Sequence, residues 1–371
     1  MSSKETSAEF ADRLNTMITH GVATMACSMG SQKGFFEKIA QFEDTFSPEE
    51  LAVKCHSKTP VIRHWLLALT ASDIIEMPSD DLFRLPQHRR EAVLSPMSPI
   101  HSKAKFVSAF GRMEPELMDF MDRDYDKAVQ TFFRTMVYED RKRGLVSQIP
   151  AIVDDVPSLH QKLETGITVL DIGSNKGDLL FILASKYPKS TFIGVDPANP
   201  DTELAVKRAA EKGLTNVQFL VEDALKMPAE WTEKFDYIIT INTLHHLPDG
   251  VRGCAEMKRI LKPDGYLSII ELRKEDTEEA NMSQPGAAMF YLFNIAAMSM
   301  GHRHDKKEDK VKVTQGGDLR TGRGETTGGD HSMNTLSLLT GFIKDGGFTR
   351  INRTEAPRSD FLDQVHFLCQ K

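Results

Sequence analysis

One stretch, Val169-Leu170-Asp171-Ile172-Gly173-Ser174-Asn175-Lys176-Gly177, constrains the fold more than any other in the 371-residue chain. An apolar run delivers an acid, then a glycine-bearing turn, then Asp178–Lys186 with helical spacing of its apolar residues. Glycines let backbone approach a ligand closely, and a helix N-terminus offers N–H groups to it. A dinucleotide site would read G-x-G-x-x-G. Here Asn175 and Asp178 stand at the second and third glycine positions, so that reading fails. An acid two residues before the first glycine suits a ligand with a cationic amino-acid tail better than a pyrophosphate.

The pattern then repeats. Thr191–Val195, Val217–Val221, Phe235–Ile241 and Tyr266–Glu271 read as short apolar strands, with helices expected at Thr202–Lys212 and around Arg252–Leu261. Strands separated by helices imply βαβ units and a parallel sheet covered on both faces. A helix Thr335–Lys344 and strands Phe348–Thr354 and Gln364–Cys369 would close the sheet with an antiparallel strand. The strand ends are rich in acids. Gly194-Val195-Asp196-Pro197 puts a carboxylate about twenty residues beyond the first turn, where it can take both hydroxyls of a ribose. Val221-Glu222-Asp223-Ala224 puts another where an adenine amino group could donate, with Glu222 an equally good acceptor beside Asp223. The fourth strand runs into Asn242-Thr243-Leu244-His245-His246-Leu247-Pro248-Asp249, and Leu261-Lys262-Pro263-Asp264-Gly265 reads as a helix stop and tight turn into the fifth.

In order and spacing these five motifs resemble class I S-adenosylmethionine (SAM)-dependent methyltransferases over Thr165 to Lys371. The whole chain is similar to the two-domain members, in which an N-terminal winged-helix domain precedes the catalytic one. The resemblance implies an α/β fold with a seven-stranded Rossmann-like sheet, SAM as cofactor, and methyl transfer to a small molecule by in-line displacement. It further implies that Asp171, Gly173, Ser174, Asn175 and Gly177 line the methionine end of SAM. Asp196 and Pro197 would meet the ribose, Asp223 and Ala224 the adenine, and Asn242 would lie beside the sulfonium. The departure is Asn175, where the family has a middle glycine, although Asn tolerates left-handed backbone better than other non-glycine residues. His245 is the candidate general base, a near-neutral imidazole placed to take a proton from an attacking hydroxyl. A structural role for one of His245 and His246 stands beside it, since methyl transfer from a sulfonium needs alignment more than acid–base help.

Before Leu163 the patterning is helical. Ser47, Pro48 and Glu50 form a capping box opening a helix Glu49–Cys55, and Thr59-Pro60 reads as a second N-cap. A helix Val61–Ser72 then carries Ile62, Trp65, Leu66 and Leu69 on one face. Segments Asp73–Met77 and Leu82–Leu85 follow, joined by a turn Pro78–Asp81. Helix, turn, helix and hairpin is the order of a winged helix. The expected divisions are a winged-helix and dimerisation domain over 1–97, connecting helices over 98–164 and a catalytic domain over 165–371. Within the connecting helices Phe120, Tyr125, Phe132, Phe133 and Tyr138 form an aromatic face.

Charge argues against a DNA reader. Residues 47–95 hold six Lys/Arg against seven Asp/Glu, the would-be recognition helix offers only Arg63 and His64, and the net charge is −7. A SAM-binding regulator that contacts DNA with little transfer activity is the alternative from another class. The apolar residues Met17, Ile18, Val22, Met25 and Met29 suggest a dimer face, so a homodimer is expected. Cys27, Cys55, Cys254 and Cys369 form no C-x-x-C pair, and no metal site or disulfide framework is indicated. No secretory signal or membrane span is visible, which points to the cytoplasm.

Between the fifth strand and the last helix, 274–332 reads as an insertion. Ala287–Met300 is an apolar helix, either core or a lid over substrate. His302–Asp330 has only Val311, Val313 and Leu319 as large aliphatics and is expected to be a flexible strap. His302 and His304 read as part of a solvated loop rather than a metal pair.

Overall fold

The computed structural model describes residues 5–95, 98–101, 103–122, 145, 148–298, 334–356 and 363–371. They fall into two compact units, one up to Met121 and one comprising Asp122 and the residues from 145 onward. The aromatic face expected at Tyr125–Tyr138, and the strap with His302 and His304, lie outside the described residues.

The first unit is helical. Helix α1 (Ser7–Lys33) opens with a Thr6/Glu9 capping box and ends at Gly34 in left-handed conformation, and α2 is Phe35–Ile39. Helix α3 (Pro48–Cys55) has the expected reciprocal cap: Ser47 Oγ accepts Glu50 N–H at 3.2 Å and Glu50 Oε2 accepts Ser47 N–H at 2.8 Å. Helix α4 (Thr59–Ala71) begins earlier than expected. Its N-cap is Lys58 without a side-chain bond, and Thr59 lies inside the helix, where Pro60 needs no donor. The buried face of α4 is Ile62, Trp65, Leu66 and Leu69, as the spacing predicts. The hairpin is β1 (Glu76–Ser79) and β2 (Leu82–Arg84), so the turn is tighter than the expected Pro78–Asp81, with Asp81 at φ 56°. Phe36, Ile39, Phe46, Leu51 and Phe83 complete the core. Helices α5 (Gln87–Leu94) and α6 (Lys103–Asp122) follow.

In the second unit, a helix over 148–155 (α7) and α8 (Leu159–Thr165) precede a seven-stranded sheet. Its strands are β3 (Thr168–Ile172), β4 (Thr191–Val195), β5 (Val217–Leu220), β6 (Phe235–Ile241), β7 (Leu261–Leu272), β8 (Arg350–Glu355) and β9 (Gln364–Gln370). The order across the sheet is β5-β4-β3-β6-β7-β9-β8, parallel from β5 to β7, with β9 antiparallel to both β7 and β8. This is the seven-stranded Rossmann-like sheet expected. Helices α9 (Asp178–Lys186) and α10 (Asn199–Glu211) place Leu180, Ala184 and Ala205 on one face, against Val169, Tyr237 and Ile239. On the other face α11 (Gly250–Ile260) and α14 (Leu336–Asp345) place Cys254, Met257 and Ile343 against Leu170, Ile238 and Leu267.

The turn expected at Leu261–Gly265 is instead an irregularity within a continuous β7. Leu261 pairs with Phe235 and Tyr266 with Tyr237, so the intervening residues bulge without breaking the strand. From the insertion, α12 (Glu278–Met282) and α13 (Ala287–Met298) are described, with Phe290 and Phe293 buried and the Tyr291 hydroxyl donating to Glu278.

Candidate active site

Strand order reverses between β3 and β6, since β4 and β5 extend one way and β6 and β7 the other. In such sheets the carboxyl-end crevice at the reversal receives the ligand. The Gly173 turn and the β6 exit meet there: a Cβ on Gly173 would collide with the Thr243 side chain. Gly173, Asn175 and Gly177 all have positive φ, at 77°, 51° and 82°. Asn175 therefore adopts the left-handed backbone that a middle glycine would supply, and the loop keeps its shape.

The sequence-predicted acids occupy the same edge in different environments. Asp171 is buried at 4% exposure at the end of β3, paired in register with Gly194 of β4. Ser174 is buried too, and a Cβ on Gly194 would press on its hydroxyl. Asp196 accepts Asn175 N–H on Oδ2 at 3.0 Å and Ala198 N–H on Oδ1 at 2.9 Å, so the expected ribose ligand also braces the loop beside it. Pro197 follows it, just before α10. Asp223 Oδ1 accepts Leu225 N–H at 2.9 Å beyond β5, and the neighbouring Ala224 is buried. Asn242, at φ 50°, donates its N–H to Ile270 O at 2.8 Å. Its Oδ1 accepts from Gln364 Nε2 at 3.1 Å, and Gln364 Oε1 accepts from Gln148 Nε2 at 3.4 Å.

His245 sits in a 3₁₀ turn, Leu244–His246, directly after β6. Its Nδ1 lies 2.5 Å from Glu271 Oε2. Glu271 is 1% exposed at the end of β7, and its Oε1 accepts Thr243 N–H at 3.0 Å and Leu244 N–H at 2.7 Å. Burial alone would raise the Glu271 pKa. The His245 ring, the Leu244 N–H and His246 outweigh that and hold it below the ordinary carboxylate value. An ionised Glu271 thus fixes His245 with Nδ1 as the donor, the arrangement that makes Nε2 the basic nitrogen.

Glu271 and Gln364 were not singled out by the sequence reasoning. Glu271 carried a usable signal, being an acid directly after the apolar pair Ile269-Ile270 near the carboxyl end of its strand, as Asp171 follows Val169-Leu170. Gln364 carried none.

Residues 163–317 match the family described as "Methyltransferase domain". "Methyltransferase GfsG" of Streptomyces halstedii is 29% identical over 187 residues, covering 47% of this chain and 63% of that protein. "Nocamycin O-methyltransferase" of Saccharothrix syringae is 31% identical over 105 residues, covering 28% of this chain and 37% of that protein. The chain therefore spans less than two thirds of the length of either relative. Among solved structures, CalO1, a methyltransferase in calicheamicin biosynthesis in its SAH-bound form, superposes with TM-score 0.60 at 15% identity, over 98% of this chain and 99% of that one. That likeness is one of fold.

Proposed function

We propose that this chain, whose residues 163–317 match a methyltransferase domain, transfers a methyl group from SAM to the hydroxyl of a small molecule. The observation that carries the reading is the His245–Glu271 pair beside the glycine turn at the strand-order reversal. The residues fit the cofactor. Gly173 admits backbone where any side chain would collide with Thr243, and three consecutive strand ends present Asp171, Asp196 and Asp223. Asp171 with the Gly173–Gly177 turn would hold the amino-acid end, Asp196 and Pro197 the ribose, and Asp223 and Ala224 the adenine. When bound, SAM supplies a sulfonium-activated methyl group that a nucleophile takes up as the thioether leaves.

His245 holds the acceptor hydroxyl at Nε2 and takes its proton as the oxygen attacks. Glu271 stays ionised and stabilises the resulting imidazolium through Nδ1–H. Asn242 is held at the edge of the same site by Gln364. Methyl transfer to a hydroxyl is favoured over other acceptors because a positioned base helps most where the nucleophile must lose a proton, and nocamycin O-methyltransferase is an O-methylating relative. Helix α13, with buried Phe290 and Phe293, is assigned to the acceptor side of the site as its apolar cap.

The first unit is assigned as a winged-helix module that pairs with a second copy of the chain. Along α1, Phe10, Leu14, Met17, Ile18, Val22, Met25 and Met29 are exposed, and an open hollow of about 450 Å³ lies where Met29 meets Val61, Trp65 and Ala68. An apolar stripe repeating along a helix is the kind of surface that a second copy of the chain can cover. DNA binding is disfavoured, since Arg63 is held by Asp81 at 2.7 Å and His64 borders the apolar hollow. Among the described residues no helix is long and apolar enough to cross a membrane, and all four cysteines are free thiols, in keeping with the cytoplasm.

The test is turnover of labelled SAM over a panel of hydroxylated small molecules by wild type, His245→Asn and Glu271→Gln. Both variants should bind SAM as wild type does while turnover falls about 10²–10⁴-fold. Undiminished turnover in both would remove the base from the mechanism.

A further inference from the structure

Helix α10 grips the glycine turn at two points. Ahead of its N-terminus, Asp196 takes the Asn175 N–H. Further along, Arg208 reaches back to the other side of the turn. Its Nη1 donates to the Lys176 carbonyl at 2.7 Å and its Nη2 to Asp178 Oδ1 at 2.6 Å. The guanidinium carbon lies 5.0 Å from the centroid of the Phe181 ring, a cation–π distance. The Arg208 and Asp178 side chains are only 19% and 10% exposed, so solvent screens the pair less than it does a surface ion pair. Within the turn, Gly177 N–H donates to Ser174 O at 2.9 Å, and Gly173 and Ser174 N–H both donate to Val195 O.

Helix α9 has Gly177 as N-cap and no side-chain cap. No side-chain hydrogen bond caps the start of α9, whose N–H groups are those a ligand would use. Bracing has to come from outside, and only arginine offers a rigid fork that serves a carbonyl and a carboxylate while stacking on an aromatic ring.

We propose that Arg208 is a positioning residue for the cofactor: through Lys176 O and Asp178 it holds the turn in the shape that receives the amino-acid end of SAM. The inference rests on the methyltransferase reading above. It separates Arg208 from the proton-transfer groups, which lie across the strand-order reversal, His245 in the turn after β6 and Glu271 on β7. Loss of Arg208 should act on cofactor binding and leave acceptor chemistry at saturating SAM alone.

The experiment is calorimetric titration of SAM and of S-adenosylhomocysteine into full-length wild type, Arg208→Met, Arg208→Lys and Asp178→Asn, with steady-state kinetics at saturating SAM. Wild type comes first. If it binds neither ligand, the methyltransferase reading fails before any variant is examined. Given wild-type binding, Arg208→Met should raise both dissociation constants about tenfold, the scale of one lost charge-assisted bond. kcat and the acceptor KM should stay within about twofold, because the dyad is untouched. Arg208→Lys should fall between the two, and Asp178→Asn should weaken binding less, since the bond to Lys176 O remains. If Arg208→Met does not fold, Asp178→Asn and Arg208→Lys decide. Unchanged affinity in the folded variants, or a fall in kcat at saturating SAM without a change in affinity, overturns the proposal.

Discussion

Asn175 shows how a single side chain can depart from a pattern and keep its geometry. At φ 51°, with its N–H on Asp196, it occupies the left-handed region that a branched residue enters only at a steric cost. Asn175→Gly should therefore leave SAM affinity within about threefold of wild type, whereas Asn175→Val should weaken it and lower the unfolding midpoint, with a cost of about 1–3 kcal/mol. Equal melting temperatures and affinities for the two variants would contradict this. Asp171, Asp196, Asp223 and Asn242 were legible because each lies at or just beyond the carboxyl end of an apolar run, and their proposed contacts with SAM came from the resemblance. Their supports were hidden, because the partners are distant in sequence. Glu271 is 26 residues from His245, Arg208 is 30 from Asp178, and Gln364 is 122 from Asn242. Only the sheet order brings them together.

At the scale of elements, strands and helices followed hydrophobic period closely where burial decides them, as for β4, β6 and α9. Boundaries slipped where a local signal competed with tertiary pairing. Pro263-Asp264-Gly265 reads as a turn, yet pairing with β6 on either side carries the strand through it as a bulge. Thr59 reads as a cap, yet the helix begins one residue sooner. The closing strand β9 carries a feature alternation does not reveal. His366 is 1% exposed, with Nε2 2.9 Å from Ser268 Oγ, and Nδ1 3.7 Å from Asp155 Oδ2. Burial lowers its pKa, and Asp155 offsets part of that. A base whose folded pKa is depressed stays neutral in the native state while the unfolded chain takes up a proton. Its contribution is thus intact above the unfolded value near 6.5 and is lost as pH falls below it. Between pH 7.5 and 5.5 urea denaturation should show a loss of at most about 1.4 kcal/mol from this group, which His366→Gln should abolish. An identical pH slope in the variant would show that the native state does not depress the His366 pKa.

For the whole molecule, the first unit leaves an apolar stripe on α1 and the second unit holds the proposed site. If the stripe pairs two copies, the full chain should sediment as a dimer at micromolar concentration, and Ile18→Asp with Met25→Asp should yield monomers that still bind SAM. A monomeric wild type would defeat that assignment. The sheet as a whole makes the stronger claim, that one carboxyl edge, with its reversal between β3 and β6, is a SAM site braced by acids at successive strand ends. Calorimetric titration of SAM into full-length wild type and Asp196→Ala tests it most directly. The account predicts saturable binding at one site per chain, weakened by about 1.5–3 kcal/mol in a folded Asp196→Ala variant, the range for a hydrogen bond to a charged group. Absence of SAM binding by wild type, or the same affinity with and without Asp196, would contradict it.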